Sequence, residues 1–198
     1  VPLFYENRTP ELQLVNPTLN EDIYALIEEA ELAPEQQARL ELELGRQYHI
    51  LTRDDRLDTV AHDIVQHFLG RGFLGKAMVV SIDKATALRM HDKVRRYWAE
   101  ESAQVERELL RKDLLPARKA ELQQRLSVLQ TTDMALIVSP EQNEVASMKK
   151  LGLSIEPHRK RMNEEALDEK FKDTKDPLRL VFVCAMWLTG FDAPSCST

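Results

Sequence analysis

The sequence predicts an α/β fold, a parallel sheet flanked by helices, on two observations. Lys76 to Ile82, Ala135 to Val138 and Leu180 to Val183 are short apolar runs rich in β-forming residues, too short for ordinary helices. Long stretches with apolar residues at helical spacing separate the first two runs. Alternation of this kind joins strands in parallel and leaves the helices on the faces of the sheet.

Taken in order, Val1 to Pro17 contains several prolines and reads as an extended connector. Asn20 is placed to cap an acidic helix carrying Ile23, Leu26, Ile27 and Ala30, and Pro34 opens a second helix that Gly45 can close. Residues 1–58 thus form a connector and acidic helical segment. Residues 59–198 form the α/β domain. A helix from about Asp58 to Leu69 sets Val60, Ile64, Val65 and Phe68 on one face, and Gly70, Gly72 and Gly75 end it before the first strand. A helix from about Thr86 to Glu100 follows. Val105 to Leu129 continues as helix, restarted at Pro116, and makes a helical insertion near 101–130. Its Leu109, Leu110, Leu122, Leu126 and Leu129 need an apolar surface, most simply that of the domain itself.

Composition narrows the functional classes. The chain has 198 residues, 43% apolar and 30% charged, with six Gly and nine Pro, which gives it a core and excludes a low-complexity chain. The net charge of −6 is unevenly spread: residues 1–58 hold 13 acidic and 5 basic side chains, whereas residues 59–198 hold 20 and 22. An acidic segment is repelled by phosphates, so a nucleic-acid surface is expected only in the second part. Cys184 and Cys196 lack metal-binding spacing, which suits a reduced, cytoplasmic protein. No run approaches the roughly 18 apolar residues of a membrane span, and no secretory leader is recognisable, so a soluble protein with no membrane partner is expected.

Gly70-Arg71-Gly72-Phe73-Leu74-Gly75-Lys76-Ala77 matches a phosphate-binding loop except at Ala77, where the chemistry needs a hydroxyl to hold magnesium. The context also fails, because these glycines follow a helix and precede a strand. They read as a helix stop and a turn. His62 and His67 stand five apart, poor spacing for two ligands on one helical face, and no metal site is expected. Trp98 and Trp187 read as packing residues, with no aromatic ladder for stacking bases.

The last strand leads into the loop with the richest chemistry. In open α/β sheets ligands are handled just past the carboxyl ends of parallel strands, where Thr189, Gly190 and Asp192 stand. Thr189 offers a hydroxyl, Gly190 permits close backbone approach, and Asp192 offers an acceptor. An ordinary strand exit has the same local sequence.

Thr189-Gly190-Phe191-Asp192-Ala193-Pro194 resembles the fifth helicase motif of superfamily 2 motors, in the form carried by the motor (R, restriction) subunit of type I restriction enzymes. Gly75 to Ala87 resembles the fourth motif of that subunit, and Val1 to Arg8 the segment leaving its first motor domain. Ser139 to Asn143 and Ile155 to Met162 also resemble it, and all these stretches follow the family's order. The resemblance implies a second RecA-like domain, partial, and a role in ATP-driven translocation of DNA before cleavage. It assigns backbone contacts on DNA to Ser81 and Thr189, and coupling between the nucleotide cleft and DNA to Gly190 and Asp192. Lys84 adds charge beside Ser81, or is a solvated residue at a helix start.

The same resemblance implies that ATP and Mg2+ serve the complete subunit, an ATP-dependent type I site-specific deoxyribonuclease, through its first RecA-like domain. This chain alone is expected to be inactive and to bind neither. The chain stops before the sixth motif and has no evident nuclease motif. Implied partners are double-stranded DNA, that first domain, and the modification and specificity subunits of the complex. The basic run His158 to Arg161 could meet DNA or another subunit, or be a solvated face. Two alternatives stay open: another superfamily 2 DNA helicase, and a non-catalytic docking module whose acidic helices bind a protein. A phosphate-loop domain upstream and an arginine motif downstream would mark the motor.

Overall fold

A computed structural model of the chain describes residues 48–184, together with Arg8 and Pro10. The expected connector, the acidic helices between Asn20 and Gly45, Trp187, Cys196 and the loop bearing Thr189, Gly190 and Asp192 lie outside the described residues. The chain divides into two compact units, Val1–Val60 and Ala61–Thr198. Residues 48–51 are helical, a turn follows at Thr52, and helix α1 spans Asp54–Gly70. Arg53 forks onto the Asp55 carboxylate at 3.0 and 2.6 Å, and Asp54 and Asp55 place negative charge at the positive end of the helix.

The second unit continues with β1 (Ala77–Val80), α2 (Lys84–Leu109), α3 (Pro116–Thr131), β2 (Asp133–Ile137), α4 (Glu144–Lys150), α5 (Glu156–Glu164), α6 (Leu167–Lys172) and β3 (Leu178–Val183). The described residues are therefore mixed α/β and mostly helical. The three strands form one parallel sheet in the order β1-β3-β2, so the last strand in sequence lies at the centre. Val79 pairs with Phe182, and Ile137 with Val183.

That central position explains the apolar run from Leu180 to Val183 within β3. A strand covered on both faces has no solvent side and hence no alternation. On one face Phe182 meets the ring of His91 from α2, with centroids 5.4 Å apart. On the other, Val181 and Val183 join Ala135, Ile137, Leu167, Phe171 and Leu178 in a buried cluster flanked by Met78 and Met162.

The helix α2 is longer than the sequence predicts, reaching Leu109 without a break near Glu100. Its far half and α3 form a hairpin. Trp98 donates from Nε1 to the Leu129 carbonyl at 2.9 Å, and its ring lies 5.6 Å from that of Phe68. Leu122 and Leu129 are buried there, while Leu110 at the tip is exposed. The predicted strands all form, and α4, α5 and α6 are helices that the sequence pattern does not show. At six to nine residues each they are too short to display a helical period, and only Pro157 at the start of α5 signals one.

The phosphate-loop match is resolved by its surroundings. The glycines lie between the end of α1 and the start of β1, with Gly72 in the left-handed region at φ 76°. Lys76 is buried, donates to the Lys170 carbonyl at 2.7 Å and lies over the Phe171 ring. A cation there complements the negative end of α6, and burial pulls its pKa down. This lysine faces away from phosphate chemistry and fastens a helix.

Candidate functional site

The carboxyl edge of the sheet gathers the exits of β1 and β3. The Ser81 amide donates to the Val183 carbonyl at 2.9 Å, continuing the ladder one residue past β1 to the last residue of β3. Cys184, the first residue after β3, brings its thiol within 3.8 Å of the Ile82 carbonyl, and burial pushes that thiol's pKa up. Asp83 then caps α2, its carboxylate accepting from the Thr86 amide at 2.6 Å in an extended conformation. The second carboxylate oxygen of Asp83 and the Thr86 hydroxyl are buried without a hydrogen-bond partner among the described residues.

Lys84 is the first residue of α2, where a cation is disfavoured by the helix dipole. It is not free in solvent: its Nζ pairs with the Glu141 carboxylate at 2.9 Å, from the loop after β2. Glu141 is 60% exposed, so the pair is worth at most about 1 kcal/mol and a phosphate could replace it. The structure thus brings Ser81, Lys84 and the start of the segment leading to Thr189, Gly190 and Asp192 to one edge. Those three residues themselves lie outside the described ones.

The basic run is not a solvated face. Arg159 grips Glu144 at 2.6 and 2.7 Å and donates to the Val138 and Ser139 carbonyls. Arg161 pairs with Asp133 and with Glu165, and donates to the Met134 carbonyl at 2.8 Å. The Arg159 guanidinium holds the Glu144 carboxyl below its ordinary range, and Arg161, then Lys170, does the same for Glu165. Of the four residues, Lys160 is the one exposed to solvent. These arginines are spent on joining α5 to β2 and α4.

One constellation escaped the sequence. His91 and Asp92 on α2 and His158 on α5 bring three ligand atoms within 4.8 Å of one another. The two imidazoles meet edge to face, centroids 4.6 Å apart, and His91 Nδ1 lies 3.0 Å from an Asp92 oxygen. Burial, then the neighbouring His91, lowers the His158 pKa to about 4. No spacing could reveal this, because the two halves are 66 residues apart in sequence. His62, by contrast, packs edge-on against Tyr97 at 5.3 Å.

The geometry defines a parallel α/β domain with Ser81 and Lys84 at the carboxyl edge of its sheet. No protein-family profile matches the chain, and no solved structure matches it significantly. It is 26% identical over its whole length to a protein of Methanocaldococcus jannaschii assigned by name to the type I restriction enzyme MjaIXP as its endonuclease subunit. It is 53% identical over 38 residues to the type I restriction enzyme HindI endonuclease subunit of Haemophilus influenzae, a match covering 19% of this chain and 4% of that protein. The chain is therefore a relative of part of the type I restriction enzyme endonuclease subunit, and spans 16% of the length of the M. jannaschii protein. Among the described residues, no helix is long and apolar enough to cross a membrane.

Proposed function

We propose that this chain is part of the ATP-dependent DNA translocase motor of a type I restriction endonuclease, within a second RecA-like domain. The observation that supports this reading most is the direct pairing of β1 with β3. It sets the Ser81 exit beside the exit leading to Thr189. These two exits carry the stretches resembling the fourth and fifth helicase motifs, and a motor needs both on one strand of DNA.

In this reading Ser81 holds phosphate through its hydroxyl, its amide being engaged by Val183, Thr189 does so through hydroxyl and backbone groups, and Lys84 exchanges Glu141 for phosphate. Such contacts position a strand without reading its sequence, which suits translocation. Gly190 and Asp192 couple the bound strand to the cleft between lobes. ATP and Mg2+ act in the complete subunit. The described residues do not fit a nucleotide's phosphates, because the glycine loop enters a strand and Lys76 is buried against Lys170. Double-stranded DNA, the first RecA-like domain, and the modification and specificity subunits are the partners.

The test is the complete subunit assembled with its modification and specificity partners. Ser81→Ala combined with Thr189→Val should slow DNA translocation while thermal stability persists. Normal translocation by the folded double variant would remove the assignment. The isolated chain should hydrolyse no ATP, with or without DNA.

A further inference from the structure

We propose that His91, Asp92 and His158 bind a borderline divalent transition ion of the zinc class, tying α2 to α5. Two imidazoles and a carboxylate are the donor set that such ions prefer, whereas magnesium and calcium favour oxygen alone. The 3.0 Å between His91 Nδ1 and the Asp92 oxygen suits two ligands of one ion as well as it suits a hydrogen bond.

Ligands about 2.0–2.1 Å from a tetrahedral ion lie about 3.4 Å apart, and the three ligand atoms already lie within 4.8 Å of one another, so the site needs to close by no more than about 1.4 Å. The buried His91 holds the fixed end of the site, while the Asp92 side chain, 58% exposed, and the half-buried His158 have room to adjust. A three-residue set leaves a fourth position for water.

Two positive groups oppose the ion. Arg95 and Arg161 both act on His158. Arg161 is already engaged by Asp133 and Glu165, which leaves Arg95 as the main repulsion. The competing account is a metal-free contact in which Asp92 merely orients His91 and the rings pack edge to face.

The chain, stripped with chelator, would be titrated with Zn2+ against a chromophoric competitor and with Co2+ for its visible spectrum. One equivalent should bind, raise the Tm and remain bound in excess Mg2+. Asp92→Asn and His158→Gln should each weaken Zn2+ binding more than about tenfold, since even loss of an outer-shell partner costs that much. Cys184→Ser should leave it unchanged. No saturable binding, or binding that survives both ligand variants, would overturn the site. Asp92 is exposed, so its variant decides the matter should His158→Gln fail to fold.

Discussion

Arg159 holds Glu144 in a two-pronged ion pair, Nε to Oε1 at 2.6 Å and Nη2 to Oε2 at 2.7 Å, across the gap between α5 and the start of α4. The same guanidinium reaches the carbonyls of Val138 and Ser139, where the chain leaves β2. One side chain therefore fixes the direction of the loop that carries Glu141 to Lys84. A planar fork with five donors can do this, and a lysine cannot.

Arg159→Ala should accordingly destabilise the chain by about 2–3 kcal/mol, the worth of charge-assisted hydrogen bonds whose acceptor is left buried. Glu144 is only 8% exposed, so its carboxylate cannot recover full hydration. Arg159→Lys should recover less than half of the loss. Denaturant unfolding of the three proteins measures this, and a loss below about 0.5 kcal/mol, the range of ordinary surface changes, would contradict it.

Acid should act through the same pair. The folded pKa of Glu144 is depressed, first by its hydrogen bond from Arg159. A depressed carboxylate contributes stability that is present above its unfolded pKa and is lost as pH falls through the folded one. Stability should therefore decline below the ordinary carboxylate range, and Glu144→Gln should show a shallower decline from a lower starting point. Parallel pH profiles for the two proteins would disprove the linkage.

How far the sequence speaks depends on distance along the chain. The three strands are legible because each is a local apolar run, and the edge position of Ser81 follows from its place just past one of them. Even the rejection of the phosphate loop is local, since it needs only the order of helix, glycines and strand. The Lys84 to Glu141 and Arg159 to Glu144 pairs are not legible, because their partners are 57 and 15 residues apart and no periodicity links them. Read alone, His158 to Arg161 is a cluster of charge. Folding turns two of its arginines inward, onto the Val138 and Ser139 carbonyls just past β2 and onto the Asp133 carboxylate that opens it.

Trp98→Phe should loosen the hairpin. The substitution keeps an aromatic ring near Phe68 but removes the donor to the Leu129 carbonyl. An acceptor left buried costs about 1–3 kcal/mol. Hydrogen exchange at α3 should rise more than at β3, which has its own cover on both faces. Equal protection in both proteins would show that the bond contributes nothing.

Lys84→Ala, in the complete subunit, separates a DNA contact from a surface ion pair. The pair with exposed Glu141 is worth at most about 1 kcal/mol, so the Tm should change little. If Lys84 neutralises a phosphate, the dependence of log affinity for DNA on log salt should flatten by about one unit. An unchanged slope would leave Lys84 with Glu141 in the bound state and remove it from the interface.

Asp192→Ala addresses the coupling role assigned to the loop beyond β3. Asp192 follows the exit of the central strand, which pairs with the strand leading to Ser81. In the proposed motor its carboxylate takes a charged hydrogen bond that changes as the lobes cycle. Losing it should cost about 1.5–3 kcal/mol. If the bond forms in the rate-limiting state, translocation should slow by about ten- to a hundredfold. An aspartate that only caps its loop behaves in the opposite way: the Tm drops while motor activity per folded molecule persists. Both quantities are measured on one preparation of the complete subunit, and normal translocation by a well-folded variant would end the coupling assignment.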